Sequence, residues 1–193
     1  MRILGLAVLL FFLTLFGAAP QADDNTISTI PRVRFTDRNI STAMSVGITH
    51  SPTFRDLLAR IERADVIVHI DWQRTEGRTS GFTQFIGERT GWRYVRITVR
   101  ARKLDSAVVA LLGHELQHTV EVAEASWVRD ESAYAELYRT IGHSSCAPPQ
   151  WCFDTTMAVE AGERVYADIV AGKRRKRSMR AAAPDEQQRH GDD

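Results

Sequence analysis

Cysteine is scarce in this chain, with two among 193 residues. A disulfide-built miniprotein is thereby excluded, and a chain of this length buries a core without such staples. Neither sign of charge dominates, because 25 Lys+Arg stand against 24 Asp+Glu. That balance excludes a polybasic nucleic-acid protein. Glycine and proline are too few, 12 and 6, for a collagen-like or low-complexity chain. Long apolar runs are also missing, apart from one at the extreme N-terminus. Hydrophobic residues nevertheless make up 44% of the chain, which is unlike wholesale disorder. One globular domain remains, with a segment attached at each end.

Residues 1–22 read as an export signal. Arg2 supplies the positive start, Ile3 to Phe16 the apolar run, and Gly17, Ala18 and Ala19 the small residues before a cut. Pro20 disfavours a cut directly after Ala19, so a retained membrane anchor is the alternative. The expected location is exported, periplasmic or secreted, with membrane contact only through this segment if it stays uncut. At the other end, residues 172–193 carry Lys173, Arg174, Arg175, Lys176 and Arg177 in a block. A run of this kind predicts a solvated, disordered tail. Seventeen basic and twenty acidic residues fall in 23–171, so the domain itself is mildly acidic and offers nucleic acid no surface. Cys146 and Cys152 flank five residues. In an exported chain that pair predicts a disulfide closing a short loop, whereas C-x5-C is poor metal spacing.

Within 23–171, residues 23–50 show no clear period and are expected to wrap the surface. Ser51 followed by Pro52 is an N-cap with proline at the first helical position, and Phe54, Leu57, Leu58 and Ile61 continue at helical spacing. Asp65 to Trp72 reads as a strand, with Val66, Val68, Ile70 and Trp72 on one face and Ile67 on the other. A second strand is predicted over Thr79 to Ile86, and a turn over Gly87 to Gly91. The third, Trp92 to Arg100, alternates Val95, Ile97 and Val99 with Arg96, Thr98 and Arg100, so one side should face water. Three helices follow: Leu104 to about Ala125, apolar on most of its circumference; Asp130 to Ile141, ending at Gly142; and Asp154 to about Ala171, with Asp154 as N-cap. The order predicts an α+β fold: a backing helix, a small three-stranded sheet, a central helix and two further helices.

Chemistry concentrates in the central helix, where His114 to His118 reads HELQH. Histidines four apart share one helix face, so both imidazoles can hold one zinc ion. Glu115 lies about 100° round the helix from His114 and falls beside the metal instead of on it. From there a carboxylate can take a proton from a nucleophilic water and later pass it to a leaving amine. The four other histidines have no such partner at this spacing.

The motif and the order of elements around it resemble the zincin metallopeptidases. The resemblance implies His114 and His118 as zinc ligands and Glu115 as general base. It also implies that an edge strand, Trp92 to Arg100 or its neighbour, aligns a peptide or protein substrate. A metzincin extension would need Gly at position 121 and His or Asp at 124, where this chain has Glu121 and Glu124. The remaining likeness is to the gluzincins, in which an acidic third ligand comes from a later helix.

Three residues compete for that ligand. Asp154 shares a stripe with Ala158, Gly162, Val165 and Ile169, the expected buried face of the last helix. Glu131 flanks the predicted apolar face of Ala133, Tyr134, Leu137 and Ile141, while Glu136 points away from it. Glu121 lies roughly 10 Å along the helix from His114, which suits a residue orienting a histidine better than a ligand. The order of preference is Asp154, Glu131, Glu121. Tyr134, Tyr138, Tyr166 and His143 each carry a donor for an oxyanion, and the sequence does not choose among them. Two functional readings follow: an exported zinc-dependent hydrolase, specifically a small metallopeptidase, or a non-catalytic exported binding domain on a zincin-like scaffold.

Overall fold

Asp37 begins the helical part of the chain, its carboxylate accepting from the backbone N–H of Asn39 and Ile40 at 2.7 and 3.3 Å. In the computed structural model, which describes residues 31–144 and 153–181, this cap opens α1, Arg38–His50. Ile40, Ala43, Met44 and Gly47 form its buried stripe. Just before it, β1 (Val33–Arg34) pairs in parallel with β2 (Val66–Arg74). The expectation that residues up to 50 merely wrap the surface is therefore corrected for 31–50. Polar and β-branched residues at 39, 41, 42 and 49 hide a stripe that is regular at i, i+3, i+4 and i+7. The signal segment, Cys146 and Cys152 lie outside the described residues.

Ser51 caps α2 (Pro52–Glu62) as anticipated, its hydroxyl accepting from the Phe54 N–H at 3.0 Å. Two helices, not one, thus precede β2. The sheet has four strands in the order β1-β2-β4-β3, where β3 is Ser80–Arg89 and β4 is Trp92–Ala101. β2 and β4 run parallel, and β3 lies antiparallel to β4 at the edge. Of the two strands offered for aligning a substrate, only β3 is at an edge. The fourth strand went unseen because β1 has two residues and no alternation to read.

The predicted turn over 87–91 is narrower than expected. Arg89 pairs with Trp92, and the loop is Thr90-Gly91, both at positive φ (52° and 81°), as a type I′ hairpin requires. β4 is also less exposed than alternation implied, since Thr98 is buried beside β2 and β3. Interior position in the sheet explains this. Arg93 is fully buried on the same side as Val95, Ile97 and Val99.

α3, Ser106–Glu124, crosses the molecule and carries the HELQH run. Asp105 caps it, and thirteen of its residues are buried. Arg93 closes its other end: Nη1 donates to the carbonyls of Val122 and Ala125 at 2.5 and 2.9 Å, and Nη2 to Ala123 at 2.9 Å. The same guanidinium pairs with Asp65, which also receives Arg129 at 2.9 Å. Carbonyls left without partners at a helix end are thus satisfied from the sheet.

α4 (Glu131–Ile141) starts at Asp130, whose carboxylate accepts from the Ala133 N–H at 2.8 Å. Its buried side differs from the prediction: Leu137 and Tyr138 face inward while Ile141 is exposed. Gly142 ends the helix without left-handed backbone, at φ −98°. A side chain there would meet the Tyr138 carbonyl at 2.6 Å, so close approach explains the glycine. A two-stranded ladder, β5 (His143–Ser144) with β6 (Phe153–Asp154), leads into α5, Thr156–Ala181. α5 packs along α3 with Ala158, Ala161, Val165 and Ile169 buried. Gly113 permits the approach, since a Cβ there would lie 2.8 Å from Val165. The helix continues through Lys173, Arg174 and Arg175 to Ala181, so the basic block starts in helix and not in a disordered tail. Ala, Lys, Arg and Met are strong helix formers, and α5 already supplies the nucleus.

Candidate metal centre

Helix α5 begins one residue later than its sequence implies. Thr155, not Asp154, acts as the cap, with its hydroxyl accepting from the Ala158 N–H at 3.0 Å. Asp154 is left at the end of β6, and its carboxylate turns toward α3. Its Oδ1 lies 3.3 Å from His114 Nε2 and 3.7 Å from His118 Nε2. One ligand atom from each of His114, His118 and Asp154 falls within 4.8 Å of the others. Bonds of about 2.0–2.1 Å around a tetrahedral zinc place ligand atoms roughly 3.3–3.4 Å apart. The two distances from Asp154 Oδ1 are near that separation, and two imidazole nitrogens with one carboxylate oxygen are donors of the type that zinc takes.

The other two acidic candidates fall elsewhere. Glu131 is exposed in the first turn of α4 and takes no part in the cluster. Glu121 is buried next to the site, where its Oε2 lies 2.9 Å from His118 Nδ1. An ionised carboxylate only accepts, so Nδ1 donates to it, and in the neutral ring the Nε2 lone pair is the one turned toward Asp154. The other oxygen, Oε1, accepts from the Thr155 hydroxyl at 2.5 Å. One side chain thus ties a histidine of α3 to the residue next to Asp154.

Glu115 is 2% exposed. Its Oε2 accepts from the Thr83 hydroxyl on β3 at 2.7 Å. Burial raises its carboxyl to about 7, against the opposing influence of His118 and the Thr83 hydrogen bond. His114 is lowered by burial and by the neighbouring His118, with Asp154 and Glu121 pulling the other way. For His118 burial also disfavours charge, but the Glu121 hydrogen bond and the surrounding carboxylates outweigh it and leave the ring raised.

Among the proposed oxyanion donors, Tyr138 is buried and donates to the His118 carbonyl at 3.1 Å, and Tyr134 donates to the Thr83 carbonyl at 2.8 Å. Burial raises both phenols far above their ordinary range. Tyr166 and His143 are exposed. The two buried tyrosines pack edge to face at 4.9 Å, and Tyr138 packs likewise on His118 at 5.5 Å.

Three neighbours of the site, Gly81, Thr83 and Thr155, and Arg93 at the end of α3 were not found by reading the sequence. Arg93 had a signal, since it shares the parity of three inward β4 residues. Thr155 follows Asp154 directly and is an equally good cap residue. Gly81 and Thr83 had none that points to Glu115, because the contact joins residues 32 apart. Comparison with protein-family models, with curated proteins and with solved structures returned no match.

Proposed function

We propose that this chain is an exported zinc-dependent hydrolase, most specifically a small metallopeptidase with a zincin-like arrangement. The observation that carries the reading is the convergence of His114, His118 and Asp154 within 4.8 Å, from two helical turns and a distant strand. A buried carboxylate, Glu115, stands beside that cluster on the same helix. His114, His118 and Asp154 would hold the ion, and Glu121 would orient His118. Zinc, when bound, would act as a Lewis acid on a scissile carbonyl and make water a better nucleophile.

Glu115 has the work of moving protons. As the C–O bond forms, its carboxylate takes one proton from the attacking water. As the C–N bond breaks, that proton goes to the leaving amine, and the carboxylate is restored. β3 is the terminal strand on its side of the sheet, and backbone groups on its outer edge would pair with an extended peptide beside it. Export rests on residues 1–22, and among the described residues no helix is long and apolar enough to cross a membrane.

The test uses purified full chain, zinc analysis and a peptide library. One zinc per chain is expected, with cleavage that drops about 10²–10⁴-fold in Glu115→Gln while zinc is retained. Folded protein that binds no zinc at micromolar free metal would overturn the reading. Zinc binding with no cleavage of any peptide would instead favour the non-catalytic scaffold.

A further inference from the structure

The role given to Glu115 requires a carboxylate held in one orientation, and the edge strand supplies the hold. We propose that Thr83 and Gly81 of β3 are positioning residues for Glu115, one acting through its hydroxyl and the other through the absence of a side chain. The proposal rests on the metallopeptidase reading. Residues two apart on a strand share a face, so 81 and 83 address α3 together.

Thr83 Oγ1 lies 2.7 Å from Glu115 Oε2 and 3.2 Å from the Glu115 carbonyl. A hydroxyl has one proton, and the nearer, charged acceptor takes it. Among the described residues no other group hydrogen-bonds this carboxylate. The second oxygen, Oε1, sits over Gly81. A Cβ built on Gly81 would lie 2.5 Å from Oε1 and 2.9 Å from the Glu115 Cγ. Gly81 is not among the glycines at positive φ, so the position demands space and not an unusual backbone. One oxygen is therefore bonded to the strand, and the other is accommodated by it.

The strand itself is held. Gly81 pairs with Val99 and Thr83 with Ile97 on the buried β4, and Tyr134 of α4 donates to the Thr83 carbonyl at 2.8 Å. Oε2 is engaged by the Thr83 hydroxyl, and Oε1 accepts no hydrogen bond among the described residues. Thr83 and Gly81 thereby turn the substrate-side strand into part of the catalytic geometry.

Two measurements on the full chain test this. The first is a double-mutant cycle of Thr83→Val and Glu115→Met read by denaturant unfolding in zinc-free buffer, which does not depend on activity. Coupled effects are expected; additive effects would overturn the contact. The second is steady-state kinetics at equal zinc content. Thr83→Val should lower kcat about tenfold or more with KM nearly unchanged, the scale of losing a hydrogen bond to a charged group. Thr83→Ser should restore most of it, and Gly81→Ala should lower kcat similarly. An active wild type with unaltered kcat in Thr83→Val and Gly81→Ala overturns the positioning role. A wild type that cleaves nothing overturns the peptidase reading instead, and the cycle still decides whether β3 holds Glu115.

Discussion

Glu121 and Thr155 share a 2.5 Å hydrogen bond that joins the end of the HELQH helix to the start of α5. Through its other oxygen Glu121 reaches His118, so one buried carboxylate ties His118 to the residue that follows Asp154. Glu121→Gln should keep the fold and weaken zinc binding about 10–100-fold, the usual cost of losing such a partner. Competitive zinc titration checks it. Unchanged affinity would mean that Glu121 only packs.

The third ligand is decided by a comparison of two variants. Asp154→Ala should lose most zinc affinity, because it removes one of three protein donors. Glu131→Ala should change nothing, since Glu131 is exposed and remote from the cluster. Metal content after dialysis at fixed free zinc reads both. Loss in Glu131→Ala with retention in Asp154→Ala would reverse the assignment.

Among the described residues Arg93 is the largest fully buried side chain, and it serves three carbonyls at the end of α3. Arg93→Met fills much of the space but leaves those acceptors and Asp65 without it. Breaking one side of a buried pair costs about 3–5 kcal/mol, and Asp65 keeps Arg129 and some solvent, which favours the lower end. Urea unfolding should show a loss of about 3 kcal/mol on that scale. A loss below about 1 kcal/mol would mean that water replaces the guanidinium at the helix end.

Partial burial works against ionised Asp65, but the hydrogen bond and charge of Arg93 and the charge of Arg129 outweigh it, and its pKa is lowered. A lowered folded-state pKa contributes stability above the unfolded value of about 3.9, and that contribution is lost as pH falls through the folded value. Wild type should therefore be more stable than Asp65→Asn at pH 7, and the gap should close in acid, as pH falls through the lowered folded-state value. Unfolding curves at several pH values test the sign. A gap that is constant with pH would place the effect in packing.

Much of the fold was legible because its signals are local. Ser51-Pro52, the inward parity of β4 and the apolar circumference of the central helix each act within one turn or one strand. The pairing of His114 with His118 is local in the same sense, since helix geometry alone puts them on one face. α1 was missed although its stripe is regular, because weak helix formers lie between Ile40, Ala43, Met44 and Gly47.

Local pattern thus determined most of the elements, the two histidines and the carboxylate between them. Tertiary structure alone decided which acid completes the cluster. Asp154 and Thr155 are both good cap residues, and nothing within the segment says which one caps. Thr155 takes the cap and bonds Glu121, 34 residues earlier, which leaves Asp154 to face His114 and His118. The choice depends on the packing of α5 along α3, where Gly113 leaves room for Val165. Likewise Thr83 meets Glu115 only because β3 is the edge strand lying across α3. Contacts between residues more than thirty apart are set by how packed elements meet, and no short-range pattern encodes them.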